Sequence, residues 1–336
     1  MGLQISELVP KKQISFRDLE NKKIAVDASQ MLYQFLSSIR QQDGTPLMDK
    51  NGKITSHLQG IITRVTNLMQ QNIKLAFVFD GKPPLLKIKE VEEREYRKQI
   101  AEEKLEKAKE EGDEALMMKY AKQSTRLTRE MADETKELIT ALGLPVIQAP
   151  SEAEAQCAFM NEQHDVDFVG SSDYDSLLYG APKIVRNITL STKKRLPSGA
   201  YVTVNPELIE LKETLHNLGI KKDQLIILAI LVGTDFNKGV LRIGPKTALK
   251  LVKQYKNYDK LFKEVKADFN WKQVYATFKN MPIIKNYKLN WKKPDLEKIN
   301  GILVDRHDFN EERVQKNLQR IIKIKKKTSE NLNKWF

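Results

Sequence analysis

"NKKIAVDASQMLYQFLSSIR", residues 21–40, changes its period halfway along. Ile24 to Asp27 is a short apolar run of strand character, and the residues after it are patterned as an amphipathic helix. "NIKLAFVFDGKPP", residues 72–84, repeats the strand signal and ends at Asp80, where Gly81, Pro83 and Pro84 halt regular structure. "LGLPVIQAPSEAEAQCAFM", residues 142–160, gives a third strand at about 145–148 and then a helix opening after Pro150. "VDFVGSSDYDSLLYG", residues 166–180, gives a fourth at about 167–170. Strands alternating with helices predict an α/β fold with a mostly parallel, doubly wound central sheet flanked by helices.

The 336 residues hold ample material for a core, at 40% hydrophobic and 30% charged. No stretch of about 18 apolar residues is present, so no helical membrane span is expected. "MGLQISELVP" lacks an apolar core of signal-peptide length, and its M-G-x-x-x-S acylation pattern is a loose match. The single cysteine, Cys157, fits a reducing compartment, and the four histidines make no zinc-type spacing. A net charge of +13 favours a polyanionic partner, nucleic acid first and an anionic membrane surface second.

Between Lys87 and Glu137 the chain is densely charged with both signs mixed, and Gly112 separates two helical stretches. Most of such a run is a solvated helical face. Its position directly after the strand carrying Asp80 also suits a helical arch over the ligand crevice of an open sheet. Beyond about residue 220 the pattern is mostly helical. In "VGTDFNKGVLRIGPKTALKLV", residues 232–252, a helix, a glycine-containing turn and a second helix opening near Pro245 succeed one another. Free N–H groups at such a start bind phosphate, and Lys246 and Lys250 add charge on neighbouring turns.

The strands share a feature. Asp27 ends the first, Asp80 the second, and Asp173 and Asp175 follow the last, while Glu152 and Glu154 open the helix after "PVIQAP". Asp235 is a seventh candidate, at the end of a helix. In a parallel sheet these positions share the carboxyl edge, where sites of open α/β sheets form. Singly, each acid has a plainer reading: an Asp after a strand caps the next helix, and Ser151-x-x-Glu154 has the form of a capping box. Together they repel strongly unless hard divalent cations intervene, and oxygen-only ligands favour Mg2+ or Mn2+. Two such ions about 4 Å apart activate water and stabilise the leaving oxygen in phosphodiester cleavage. Lys87 and Arg94, at the root of the charged arch, are placed to orient the phosphate.

"VDAS", "FVFDGKPP", "APSEAEAQ", "SSDYDSLLYG" and "GTDFN…IGPKTALKL" resemble, in the same order, the motifs of the flap endonucleases, structure-specific 5′ nucleases of archaea and eukaryotes. The resemblance runs from "MGLQ" to the final "WF". It implies a 5′ nuclease fold with a helical arch and a helix–two-turn–helix element. It also implies a two-metal site of Asp27, Asp80, Glu152, Glu154, Asp173, Asp175 and Asp235, Mg2+ or Mn2+, with Lys87 and Arg94 as catalytic cations beside Asp173 and Asp175. Tyr33 resembles the stacking aromatic beside the cleaved nucleotide, and Gly2 an ordered N-terminus near the site. Lys122 and Arg126 match arch positions that contact the flap. Gly239, Val240 and Ile243 match the two-turn element, with Gly244 and Lys246 at its duplex-contacting helix start and K+ implied at the turn. One departure is Arg242, where many members have glycine.

The tail "SENLNKWF" resembles a sliding-clamp box at Leu332, Trp335 and Phe336. Ser329 stands where Gln is usual, which lowers the expected clamp affinity. The expected organisation is a single nuclease domain over 1–325, followed by a tail at 326–336. Within the domain an N-terminal region covers 1–105, an arch about 85–137 and an internal nuclease region about 125–260, with a helical C-terminal region after them. A sequence ending at Phe336, without a long basic extension, points to an archaeal-type, cytoplasmic, nucleoid-associated protein, or a nuclear one if eukaryotic. The expected activity is metal-dependent cutting of branched DNA at 5′ flaps, with 5′–3′ exonuclease action, in replication (Okazaki fragment processing) and repair, by a monomer that binds a sliding clamp and no membrane. The rivals are a nuclease for bubbles, gaps or four-way junctions, and a non-catalytic junction scaffold. An aspartate-nucleophile phosphatase would want an acid two positions after Asp27, where Ser29 stands.

Overall fold

The computed structural model describes residues 3–41, 43–189, 193–195 and 201–319. Gly2 and the clamp-box residues Ser329, Leu332, Trp335 and Phe336 lie outside them.

The strands are β1 (Lys12–Gln13), β2 (Lys23–Asp27), β3 (Lys74–Phe79), β4 (Val146–Gln148), β5 (Phe168–Gly170) and β6 (Lys183–Arg186), then β7 (Lys193–Arg195), β8 (Tyr201–Thr203) and β9 (Glu207–Glu210). Seven of them form one sheet in the order β1-β9-β6-β5-β2-β3-β4, and β7 and β8 form a separate ribbon. From β6 to β4 the pairing is parallel, with Ile24 opposite Leu75 on one side and Phe168 on the other. The edge strands β9 and β1 are antiparallel. The mostly parallel sheet expected from the alternating pattern is therefore present, extended by an antiparallel edge.

Both faces of the sheet are covered, so its central strands are apolar throughout. Ile24, Val26, Leu75, Phe77 and Phe79 pack on one face, with the helices Ala28–Ser38 and Arg129–Ala141. Ala25, Ala76 and Val78 pack on the other, with Ala153–Glu162 and the strongly apolar helix Lys222–Val232. The helix Ala28–Ser38 buries Ala28, Met31, Leu32, Phe35 and Leu36, one stripe at helical spacing.

Between β3 and Arg129–Ala141 the charged segment forms the expected helical pair, Ile88–Glu111 and Glu114–Gln123. Gly112 ends the first in the left-handed region at φ 69°, and Asp113 caps the second by accepting from the Leu116 N–H at 2.9 Å. Arg126 then ties the exit of the pair back to Glu95 at 2.6 Å and to Glu102.

Beyond Lys222–Val232 the chain makes a double turn into the helix Pro245–Gln254. Gly239 sits at φ 77°, and a Cβ there would lie 2.3 Å from the Val232 carbonyl oxygen, so the tightest point of the turn admits only glycine. Arg242 also has a positive φ, 64°, so the left-handed turn survives without a glycine at that position.

The C-terminal stretch departs from the helical expectation. Residues 281–295 have neither helix nor strand. They form a strap held by a reciprocal pair of bonds between Gln156 and the Ile284 backbone, and by the Trp291 indole donating to Leu75 O at 2.8 Å. Pro282 and Pro294, which have no N–H to donate, bracket this stretch.

Candidate active site

In the order β4-β3-β2-β5-β6 the chain winds one way from β2 to β4 and the other way from β5 to β6, which makes the gap between β2 and β5 the topological switch point. The crevice outside the carboxyl ends of the strands there is where ligands bind in such sheets. Asp27 ends β2, and Asp173 follows β5 on the opposite side of that gap.

The acids reach the crevice by different local routes. Asp27 is 8% exposed and caps the helix it precedes, accepting from the Gln30 N–H at 2.9 Å. Asp80, just past β3, accepts from the Ala153 N–H at 2.8 Å and so caps a helix distant in sequence. Glu152 is that helix's N-terminal flanking residue, also 8% exposed, and ion-pairs with Lys87. Glu154 does not close the capping box that its spacing suggests. The helix takes Glu152 rather than Ser151 as its N-terminal flanking residue, and Glu154 instead accepts from Ser171 at 3.1 Å and Ser176 at 3.4 Å.

Asp173 and Asp175 do not lie on extended chain. β5 ends at Gly170, a turn follows, and Asp175 is the first residue of the short helix Asp175–Tyr179. The turn makes the two acids neighbours. Asp235 lies past the end of Lys222–Val232, in a turn closed by the Thr234 N–H donating to Asn237 O at 2.9 Å and by Asn237 donating to Ile230 O at 2.7 Å.

Two cations enter among these acids from the root of the arch. Lys87 Nζ contacts Glu152 and lies 3.3 Å from Asp235 Oδ2, and the Arg94 guanidinium reaches Asp235 Oδ1 at 2.5 Å and Glu90 at 2.9 Å. Burial alone would lower Lys87, but Glu152 and Asp235 outweigh it and hold the ammonium above the usual lysine range. Arg94 is likewise raised, burial being overcome by Asp235 and Glu90.

The acids respond oppositely. Burial, reinforced by the negative charge of Asp80, pushes Asp27 well above the carboxylate range, and burial with Asp175 and Asp27 does the same to Glu154. Asp175 is pushed up to about 7, first by burial and then by Asp235 and Asp173. Its Oδ1 is buried with no hydrogen-bond partner. A buried carboxylate oxygen without a donor, in a wall of acids, fits a hard cation. Among the described residues no three such side chains already close into a metal cage, and Glu152 and Asp235 are paired with Lys87 and Arg94.

The outlying residues divide. Tyr33 is 38% exposed, not a core tyrosine, and meets Lys98 of the arch through its hydroxyl at 3.3 Å. It lines a cleft of about 660 Å3 with Arg94, Arg97 and Lys98. Lys122 is exposed on the second arch helix, whereas Arg126 is committed to Glu95 and Glu102. Gly244 flanks the start of Pro245–Gln254 with open space around it, and Lys246 reaches Glu7 at 3.3 Å rather than one of the seven acids. Sequence reasoning missed Gln30, Ser171 and Ser176, polar residues that bind the acids rather than carry charge. Gln30 sits one helical turn after Asp27, and that spacing was the available signal.

A parallel sheet with acids massed at its switch point, and cations reaching in from an insertion, defines a metal-dependent phosphoryl-transfer enzyme of the nuclease class. Two family descriptions match, the XPG N-terminal domain over residues 3–101 and the XPG I-region over residues 143–235. Flap endonuclease 1 of Thermococcus onnurineus is 47% identical, covering 100% of this chain and 99% of its own, and that of Pyrococcus furiosus is 46% identical over 100% and 99%. The solved flap endonuclease-1 from Methanococcus jannaschii superposes with a TM-score of 0.77 at 41% identity, covering 96% of this chain and 98% of its own. The catalytic core of Rad2 in complex with DNA shares the fold, at a TM-score of 0.69 and 24% identity. The chain belongs to the flap endonuclease 1 family, structure-specific nucleases that hydrolyse DNA phosphodiester bonds.

Proposed function

We propose that this chain cuts 5′ flaps at the junction of single-stranded and duplex DNA, using two divalent ions held among Asp27, Asp80, Glu152, Glu154, Asp173, Asp175 and Asp235. The observation that carries the reading is the orphaned Asp175 Oδ1 inside a cluster of seven carboxylates into which Lys87 and Arg94 reach. All donors are oxygens, which suits Mg2+, with Mn2+ as a substitute. Such ions, when bound, lower the pKa of the attacking water and offset charge on the departing 3′ oxygen.

The chain's own residues do the rest. Lys87 and Arg94 are held by acids that the ions would claim, so occupation frees both cations to turn toward the scissile phosphate and its developing charge. The arch helices wall the approach to the acids and leave a cleft for a single strand, which Tyr33 can stack. Lys122 extends that path along the arch. The N–H groups at the start of Pro245–Gln254, with Gly244 and Lys246, grip duplex phosphates, and backbone oxygens of the preceding turn suit K+. The tail beyond the described residues, with Ser329, Leu332, Trp335 and Phe336, would dock a sliding clamp. We assign the protein to the nucleoid of an archaeal-type cell, as a monomer when alone.

The test is cleavage of end-labelled double-flap DNA with Mg2+ and with EDTA, mapped to the nucleotide. A metal-dependent cut beside the flap junction is expected. Tight binding without any cut in Mg2+ or Mn2+ would sink the reading.

A further inference from the structure

Three polar contacts converge on one side chain that carries no charge. Gln30 Nε2 donates to Asp173 Oδ2 at 2.7 Å, while its Oε1 accepts from the Ser172 N–H at 2.6 Å and from the Ser171 hydroxyl at 3.2 Å. The amide orientation is fixed by chemistry, since only the oxygen can accept from a backbone N–H. The backbone N–H of the same residue donates to Asp27 Oδ1. Ser171 continues the chain of bonds to Glu154 Oε1 at 3.1 Å. One residue on the first turn after β2 thus touches acids on both sides of the switch point and reaches a third through a serine.

We infer that Gln30 is a positioning residue for metal capture: it sets the Asp173 carboxylate and the Ser171–Ser172 turn at a fixed distance from Asp27 and Glu154. Repulsion alone would splay Asp173 outward, because Asp175 and Glu154 both feel its charge. A neutral amide is the suitable restraint. It donates to the carboxylate without the competing charge of a lysine, so it need not be displaced when a cation arrives, and outer partners of this kind tune metal affinity. Lys87 and Arg94 differ in this respect, being salt-bridged to Glu152 and Asp235.

The inference rests on the proposed metal site, and the test separates the two. Mn2+ alone is titrated by calorimetry into the full chain as wild type, Gln30→Met, Gln30→Ala and Asp173→Ala. Flap-DNA binding in EDTA, melting temperature and the half-saturating Mg2+ for cleavage are measured alongside. Gln30→Met keeps the length of a half-buried side chain and removes all three bonds. For both Gln30 variants the expected result is about a tenfold loss of Mn2+ affinity and a similar rise in half-saturating Mg2+. DNA binding in EDTA and melting temperature should match wild type. Unchanged Mn2+ titrations in both variants, with Asp173→Ala impaired, overturn the role of Gln30 only. Parallel losses of melting temperature and EDTA-state DNA binding make Gln30 a mere structural prop and overturn it as well. An Asp173→Ala protein that binds Mn2+ like wild type overturns the metal-site reading itself.

Discussion

Two clusters of buried charge stand in contrast. At the carboxyl edge of the sheet seven acids face two cations, an oxygen of Asp175 has no donor, and Asp27, Glu154 and Asp175 are all pushed up. The second cluster joins the loop Met48–Ile54, the helix Arg129–Ala141 and the C-terminal segment. There the enclosed His307 ring presents Nδ1 to Asp49 at 3.0 Å and Nε2 to Glu134 at 3.1 Å. Asp49 also accepts from the Asn51 and Lys53 N–H groups, both at 2.9 Å, and Lys53 pairs with Glu130 at 2.8 Å. Although burial pushes Asp49 up, the His307 and backbone bonds hold it below the usual carboxylate range. Around His307 the second cluster matches its acids with hydrogen-bond donors and serves to bind segments together. The first is left open, and an open acidic cluster is a demand for a ligand that brings positive charge.

The contrast breaks first at Asp175. Asp175→Asn should cut the single-turnover cleavage rate by about a thousandfold. In EDTA it should melt at or above the wild-type temperature, because it removes a repelled charge. A drop of several degrees in EDTA would mean that Asp175 stabilises the fold. Lys87→Met comes next, with an expected hundredfold loss, roughly, in single-turnover rate and little change in flap binding. Equal losses in both would make Lys87 a DNA anchor rather than a charge-stabilising group.

The smallest effect sharpens the contrast through pH. His57, buried beside Glu134 with both ring nitrogens unpartnered, is lowered to about 4, by burial first and then by His307. Between pH 6.5 and 4 the unfolded chain binds the proton that folded His57 refuses, so stability falls as pH drops through that window, by about 3 kcal/mol. Asp175 acts in reverse. Its folded pKa of about 7 exceeds the unfolded value, so metal-free stability falls as pH rises toward 7. His57→Leu should flatten the acid limb of urea-unfolding curves taken between pH 4 and 6.5. An unaltered limb would show that the cluster's acid sensitivity lies elsewhere.

Much of this was legible in the sequence because apolar runs of strand length ended in acids: Asp27 and Asp80 fell where the pattern put them. The short antiparallel edge was not, since Lys12–Gln13 and Glu207–Glu210 bury few side chains and carry no continuous apolar run. The capping-box spacing at Ser151 misled, because the helix takes Glu152 as its N-terminal flanking residue and Glu154 falls one position short of the box. Asp173 and Asp175 were legible as acids following a strand, but not the turn that brings them together. Gln30 was hidden for a different reason. A neutral polar residue on a helix gives no pattern until the strand opposite it is placed.

The acids gathered at the switch point are scattered along the chain from position 27 to position 235. On the proposed metal site, a ribosome emitting this polypeptide amino end first completes no nuclease until well over half of it has been made, and a fragment cut off earlier lacks Asp235. For an enzyme whose substrate is the genome, that long separation is a form of safety: the power to cut DNA arrives late and all at once.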